Sequence, residues 1–216
     1  MAMRLSALAA ALLSLHGTEG AFQPAASRSS ASTTRSLAVS SQPNNPLGIC
    51  YPAHVIQECM EWSEERSIHL VSDEIYAGSV YRKPLTDGND ITPWASVAEV
   101  AARSGRSLGP MIHIVYALSK DFSLSGLRVG ALYSENEDIA LPLQKLNDLC
   151  QISAQTQVMV EKMLDPEQNT GWAKKYLTES NDRLKNRCKR VEDLLEELKI
   201  PYLKGEAGLF LWMDFR

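Results

Sequence analysis

The chain has 216 residues, 44% of them hydrophobic and 22% charged, with a formal net charge of −4. That is enough for one large domain, or one and a half small ones, around a real core. The acidic balance gives no electrostatic footprint for nucleic acid, and the scattered Cys50, Cys59, Cys150 and Cys188 have neither metal-ligand nor CxxC spacing.

The first forty-odd residues differ from the rest. Met1-Ala2-Met3-Arg4 is a short positive start, followed over residues 5–15 by an Ala/Leu run interrupted only by Ser6 and Ser14. The run is too short to span a bilayer and suits the h-region of a secretory signal. Residues 21–42 carry no acid, two arginines (Arg28 and Arg35) and many serines, the composition of a transit peptide. The combination resembles the bipartite leaders that address proteins to plastids; the plainer reading is a secretory signal plus a Ser/Ala linker. Residues 1–42 are therefore expected to be a leader, disordered or cleaved, with no membrane contact after its removal.

Residues 43–48 form a dense turn signal. A helix is expected over 52–66, with Pro52 in its first turn and Val55, Ile56, Cys59, Met60 and Trp62 as its apolar face. Residues 68–72 read as a short strand running into Asp73. Such runs alternating with helices suggest a parallel-sheet α/β architecture, in which ligand groups sit at the carboxyl ends of strands. Asp73 reads either as a helix N-cap or as a buried carboxylate held for a cation. Residues 81–90 read as a loop, 94–102 as a helix and 104–110 as a linker.

An apolar strand over 111–118 ends at Lys120. Taken alone, that lysine reads as solvated just past a strand, or as an amine nucleophile for a carbonyl cofactor. A second strand is expected over 127–133, with Arg128 near its start between Leu127 and Val129; buried there, the arginine needs an anion. Helices over 136–149 (with Pro142 inside) and 152–164 follow. Thr170 is the expected cap of a long helix over 171–198 with the stripe Leu177, Leu184, Cys188, Val191, Leu195 and Leu198. Pro201 ends it, and residues 208–215 read as a last strand.

Five pieces stand in order: Asn45-Pro46-Leu47-Gly48, Asp73-Glu74-Ile75-Tyr76, Ser119-Lys120, Gly126-Leu127-Arg128-Val129-Gly130, and the strand after Gly208. Together they resemble the class I/II pyridoxal-phosphate-dependent aminotransferases of fold type I, with wording nearest to the 1-aminocyclopropane-1-carboxylate synthase-like members. The resemblance implies a partial α/β large domain over 43–165, with a mixed, mostly parallel sheet and flanking helices. It also implies a linking helix and the start of a small α/β domain over 166–216.

The resemblance assigns roles as well. Lys120 would hold pyridoxal 5'-phosphate as a Schiff base and move the α-proton of an amino acid substrate. Asp73 would face the pyridine nitrogen, Asn45 and Tyr76 the ring's 3-oxygen, and Arg128 the phosphate. Complete homologues would be homodimers. Two departures stand out. Ala117 replaces the family's hydroxyl residue, which removes a phosphate contact of about 1 kcal/mol. The chain is also shorter than family members, so the alternative expectation is a truncated, inactive member or an incomplete gene product.

Overall fold

Side chains alternate across a strand, so strand β3 (Ile112–Ala117) sends Ile112 and Ile114 to one face and His113 and Val115 to the other. The computed structural model describes residues 36–82, 94–165, 167, 169 and 171–216. Strands β1 (Leu37–Ser41), β2 (His69–Asp73) and β3 run parallel, and β4 (Gly130–Ser134) pairs antiparallel with β3, in the order β1-β2-β3-β4. The register aligns Ser41 with Asp73, Asp73 with Val115, and Ala117 with Gly130.

Parallel neighbours need crossovers. Helix α1 (Ala53–Glu65) stands between β1 and β2, and α2 (Val97–Arg103) between β2 and β3. Both pack on one face, where Ile56, Met60, Leu70, Val97, Val100 and Ile112 form the buried core. The carboxylate of Glu74, just past β2, accepts from Ser72 Oγ (3.1 Å), Ser96 Oγ (3.0 Å) and the Val97 N–H (3.0 Å). It thereby ties the end of β2 to the start of α2.

The leader boundary needs correction. Residues 37–41, expected in the leader, hydrogen-bond in parallel with β2. Leu37 and Val39 are 62% and 61% exposed, so the strand lacks the unbroken apolar run that marks a strand buried on both faces. Residues 1–35 of that expectation lie outside the described residues, as does most of the loop over 81–90.

The strand expected over 127–133 begins later. Residues Ser125–Leu127 form a 3-10 turn and Arg128 follows at φ 55°, a left-handed conformation no strand accepts. Arg128 is exposed, so it needs no buried anion from the fold.

Helices α4 (Glu137–Cys150, continuous through Pro142), α5 (Ala154–Leu164) and α6 (Trp172–Glu197) follow. Thr170 lies outside the described residues, and the position before α6 belongs to Gly171, in a left-handed conformation. On α6, Leu195 is buried but Val191 is exposed, as is Leu198 just past the helix end. The helix instead buries Glu192, at 6% exposure, paired with the Arg82 guanidinium, which also donates to Gly205 O at 2.6 Å.

The last strand expected from Gly208 shrinks to β6 (Trp212–Met213), antiparallel to β5 (Tyr202–Leu203). Gly208 turns at φ 79°, and the preceding residues fold back on the early turn. The N–H groups of Glu206 and Ala207 donate to Gly48 O at 2.6 and 3.0 Å. No described helix is long and apolar enough to cross a membrane. Among the described residues, no group of three or more His, Cys, Asp or Glu could hold a metal ion.

On the sheet face opposite the core, His69 and His113 stack with ring centroids 5.2 Å apart, joined Nδ1 to Nε2 at 2.9 Å. His113 Nδ1 meets Ser134 Oγ at 2.8 Å. Burial, then the neighbouring His69, holds the His113 pKa below its ordinary 6.5.

Arg82→Ala leaves Glu192 buried and unpaired and lowers stability in urea unfolding by about 3 kcal/mol, whereas Arg82→Met with Glu192→Leu recovers most of the loss. His113 binds its proton more weakly folded than unfolded, so its share of stability is full above the unfolded pKa and is lost as pH falls through the folded pKa. His113→Gln therefore shows a flatter fall in stability than the parent chain between about pH 7 and about pH 5.

Candidate active site

Because β1, β2 and β3 are parallel, their carboxyl ends share one rim of the sheet. Antiparallel β4 begins at that rim, since Gly130 pairs with Ala117. The segments after β1, β2 and β3 and before β4 carry Asn45, Asp73 with Tyr76, Lys120, and Arg128. All five sequence-predicted residues therefore lie within four positions of a strand end on this rim.

The segment after β1 is held by Gln42, at 2% exposure, whose N–H donates to Asp73 O (2.9 Å) and whose Oε1 accepts from the Tyr51 N–H (2.9 Å). Asn44 is structural: its backbone bonds to Ile49 and Gly48, and its Nδ2 meets Tyr51 OH at 2.6 Å. The next residue, Asn45, is exposed. Gly48, at φ 69°, allows the turn; a Cβ there would stand 3.0 Å from Ala207 O.

Asp73 is half-buried, and its Oδ1 accepts from the Ile75 N–H at 3.2 Å. Burial pushes its carboxyl above the usual range, against the pull of that backbone bond. Among the described residues, no cation lies within ion-pair distance of it. No helix follows Asp73 directly, so the N-cap reading gives way to a turn in which its carboxylate accepts from the Ile75 N–H, and the charge lacks a described cation.

Tyr76 is 6% exposed and meets Phe210 edge to face, with centroids 5.2 Å apart. Burial, then Asp73 and Asp121, raises its phenol pKa. Lys120 is half-buried on α3 (Leu118–Asp121), a single turn entered directly from β3 through Ala117, whose backbone is extended. The Arg128 guanidinium donates to Ser125 O at 2.8 Å. Neither cation has a carboxylate partner among the described residues.

Sequence reasoning missed Asp121. It is 2% exposed, and it accepts from the Gly78 N–H (2.6 Å), Ser79 Oγ (2.5 Å) and Tyr116 OH (2.9 Å). Its one sequence signal is a carboxylate beside Phe122 in a segment that must pack. Burial raises its pKa, while the hydrogen bonds from Ser79, Gly78 and Tyr116 work the other way.

The sequence profile described as aminotransferase class I and II matches residues 19–216, starting inside the expected leader. The 1-aminocyclopropane-1-carboxylate synthase 5 of Oryza sativa subsp. japonica is 37% identical over 201 residues, covering 92% of this chain and 36% of that protein. The 1-aminocyclopropane-1-carboxylate synthase 11 of Arabidopsis thaliana is 38% identical over 174 residues, covering 81% of this chain and 35% of that protein. The chain thus spans about a third of the length of the curated relatives it matches. Among solved structures, the aspartate aminotransferase of Thermus thermophilus with maleate superposes at TM-score 0.68 and 19% identity, covering 83% of this chain and 42% of that one. The aromatic aminotransferase of Pyrococcus horikoshii superposes at TM-score 0.66 and 19% identity, covering 82% and 43%. These structures share the fold of the described sheet and its helices.

The close approach of Asp121 to Gly78 yields a prediction. A Cβ at position 78 would stand 2.7 Å from Asp121 Oδ2 and 3.1 Å from a Leu177 methyl. Gly78→Ala therefore lowers stability by about 1–3 kcal/mol, read as a drop in the denaturant midpoint at unchanged slope.

Proposed function

The chain belongs to the aminotransferase class I and II family, whose members depend on pyridoxal phosphate, and on that premise we propose that it anchors this cofactor through Lys120 and acts on an amino acid. The observation that carries the reading is the shared rim: Lys120, Arg128, Asp73, Tyr76 and Asn45 stand on the segments that leave or enter it.

The donor set fits the cofactor. Asp73 is a half-buried carboxylate whose charge is disfavoured by burial and unmatched by any described cation, and a protonated ring nitrogen supplies that match. Lys120 offers an amine to a carbonyl, and Arg128 a fork for phosphate. Bound pyridoxal phosphate supplies an electron sink that acidifies the α-C–H of an amino acid. With the cofactor held there, Lys120 Nζ would carry the α-proton, Asp73 would face the ring nitrogen and keep it protonated, and Tyr76 with Asn45 would donate to the 3-oxygen. The relatives named 1-aminocyclopropane-1-carboxylate synthase, at 37% and 38% identity, direct the proposal to an activity of that type.

A second reading is a family member without turnover of its own. Exposed Leu37 and Val39 on β1 and Leu141, Leu146 and Leu149 on α4 favour it, because open apolar faces are a liability for a chain acting alone.

One experiment addresses both readings. The chain is incubated with pyridoxal phosphate, fixed with borohydride and mapped by peptide mass. The expected result is a phosphopyridoxyl label on Lys120, absent in Lys120→Ala, with half-saturation raised about tenfold in Arg128→Ala. Label spread over surface lysines, equal in yield in Lys120→Ala, would overturn the anchoring role. Label on Lys120 with no turnover of any amino acid selects the second reading.

A further inference from the structure

We propose that Asp121 is a positioning residue that fixes the direction of Lys120 by tying its single-turn helix to the turn that carries Tyr76; this deepens the anchoring role proposed for Lys120. Successive residues on a helix point about 100° apart, so holding Asp121 sets where Lys120 faces. The helix cannot do this alone. It has four residues and no side-chain cap, and a helix that short is marginal without tertiary support. Leu118 and Phe122 anchor it by packing near Val160 and Tyr176, which fixes its depth. The polar grip on the opposite turn comes from Asp121.

Both carboxylate oxygens are used. Oδ2 accepts from the Gly78 N–H (2.6 Å) and Tyr116 OH (2.9 Å), and Oδ1 from Ser79 Oγ (2.5 Å). The gripped turn is rigid in its own right, with the Ser79 N–H donating to Tyr76 O at 2.9 Å and the Ala77 N–H to Glu74 O at 2.9 Å. From the far side, Asn181 of α6 donates to Gly78 O at 3.0 Å. The fit is close enough to exclude a side chain at position 78, where a Cβ would lie 2.7 Å from Oδ2. A buried carboxylate one residue from the proposed anchor, held by three uncharged donors of which Gly78 lies two residues from Tyr76, is a strut between them.

The test uses the full chain in two arms. The first is amide hydrogen exchange without cofactor. Asp121→Ala is expected to speed exchange about tenfold or more in segments 76–79 and 118–122 together, with the core strand around Ile112 unchanged. Asp121→Asn keeps one oxygen for Gly78 and Tyr116 and offers an N–H to Ser79 Oγ, so it recovers most of the protection. The second arm is the rate at which pyridoxal phosphate labels Lys120 under borohydride, about tenfold slower in Asp121→Ala and largely recovered in Asp121→Asn.

Faster exchange in only one segment, unaltered labelling in Asp121→Ala, or Asp121→Asn as damaged as Asp121→Ala each overturns the proposal. If Asp121→Ala does not fold, Tyr116→Phe and Ser79→Ala, each removing one donor, decide it by the same paired slowing of labelling and loss of protection. If the parent chain itself leaves Lys120 unlabelled, the cofactor role falls, and the exchange arm still decides whether Asp121 ties the two turns.

Discussion

The parallel pairing of β1, β2 and β3 is the constraint on which the rest depends. Strands that run the same way cannot be joined by a hairpin, so the chain must return along the sheet before it pairs again. Helices α1 and α2 make those returns and bury Met60, Val100 and Ile112 against one face. The same direction puts the three carboxyl ends at one rim, and antiparallel β4 delivers Arg128 there from the other side. The candidate site is thus a consequence of strand direction before it is a matter of any one side chain.

Three buried carboxylates hold the segment that leaves β2, each answered differently. Glu74 accepts from the first turn of α2 and two hydroxyls, Asp121 from two hydroxyls and an amide, and Glu192 from a guanidinium. Burying a charge is costly unless it is hydrogen-bonded or paired, and here every such group receives partners from the segment 72–82. That stretch is gripped near its start by α2, in its middle by α3 and at its end by α6. Tyr76 sits inside the gripped span, so its phenol is positioned by contacts on both sides of it in sequence.

Local signals in the sequence were legible where the physics is local. The apolar run ending at Lys120, the helix over 52–66 and the order of the five site segments needed only neighbours along the chain. Arg128 was harder, since Leu127 and Val129 suggest a strand while a 3-10 turn and a positive φ decide otherwise. Strand β1 was hidden in serine- and alanine-rich sequence because its outer face is not covered by the described residues. Asp121 and Glu192 were invisible for another reason. Ser79 meets Asp121 across 42 residues and Arg82 meets Glu192 across 110, and no periodicity records a pairing that only the tertiary fold creates.

The contrast between matched and unmatched charge separates scaffold from site. Glu192 and Asp121, both buried, have full sets of partners. At the rim, Asp73 is half-buried with its charge disfavoured and no described cation near it, while Lys120 and Arg128 have no described carboxylate. A fold selected only for stability gains by pairing such groups, since attraction between charges strengthens as water is excluded. On the function proposed for Lys120, this opposed set left apart on one rim would receive a molecule that brings its own cation, anion and electrophile. A pyridinium, a phosphate and a carbonyl on one planar ring meet that requirement with a single ligand.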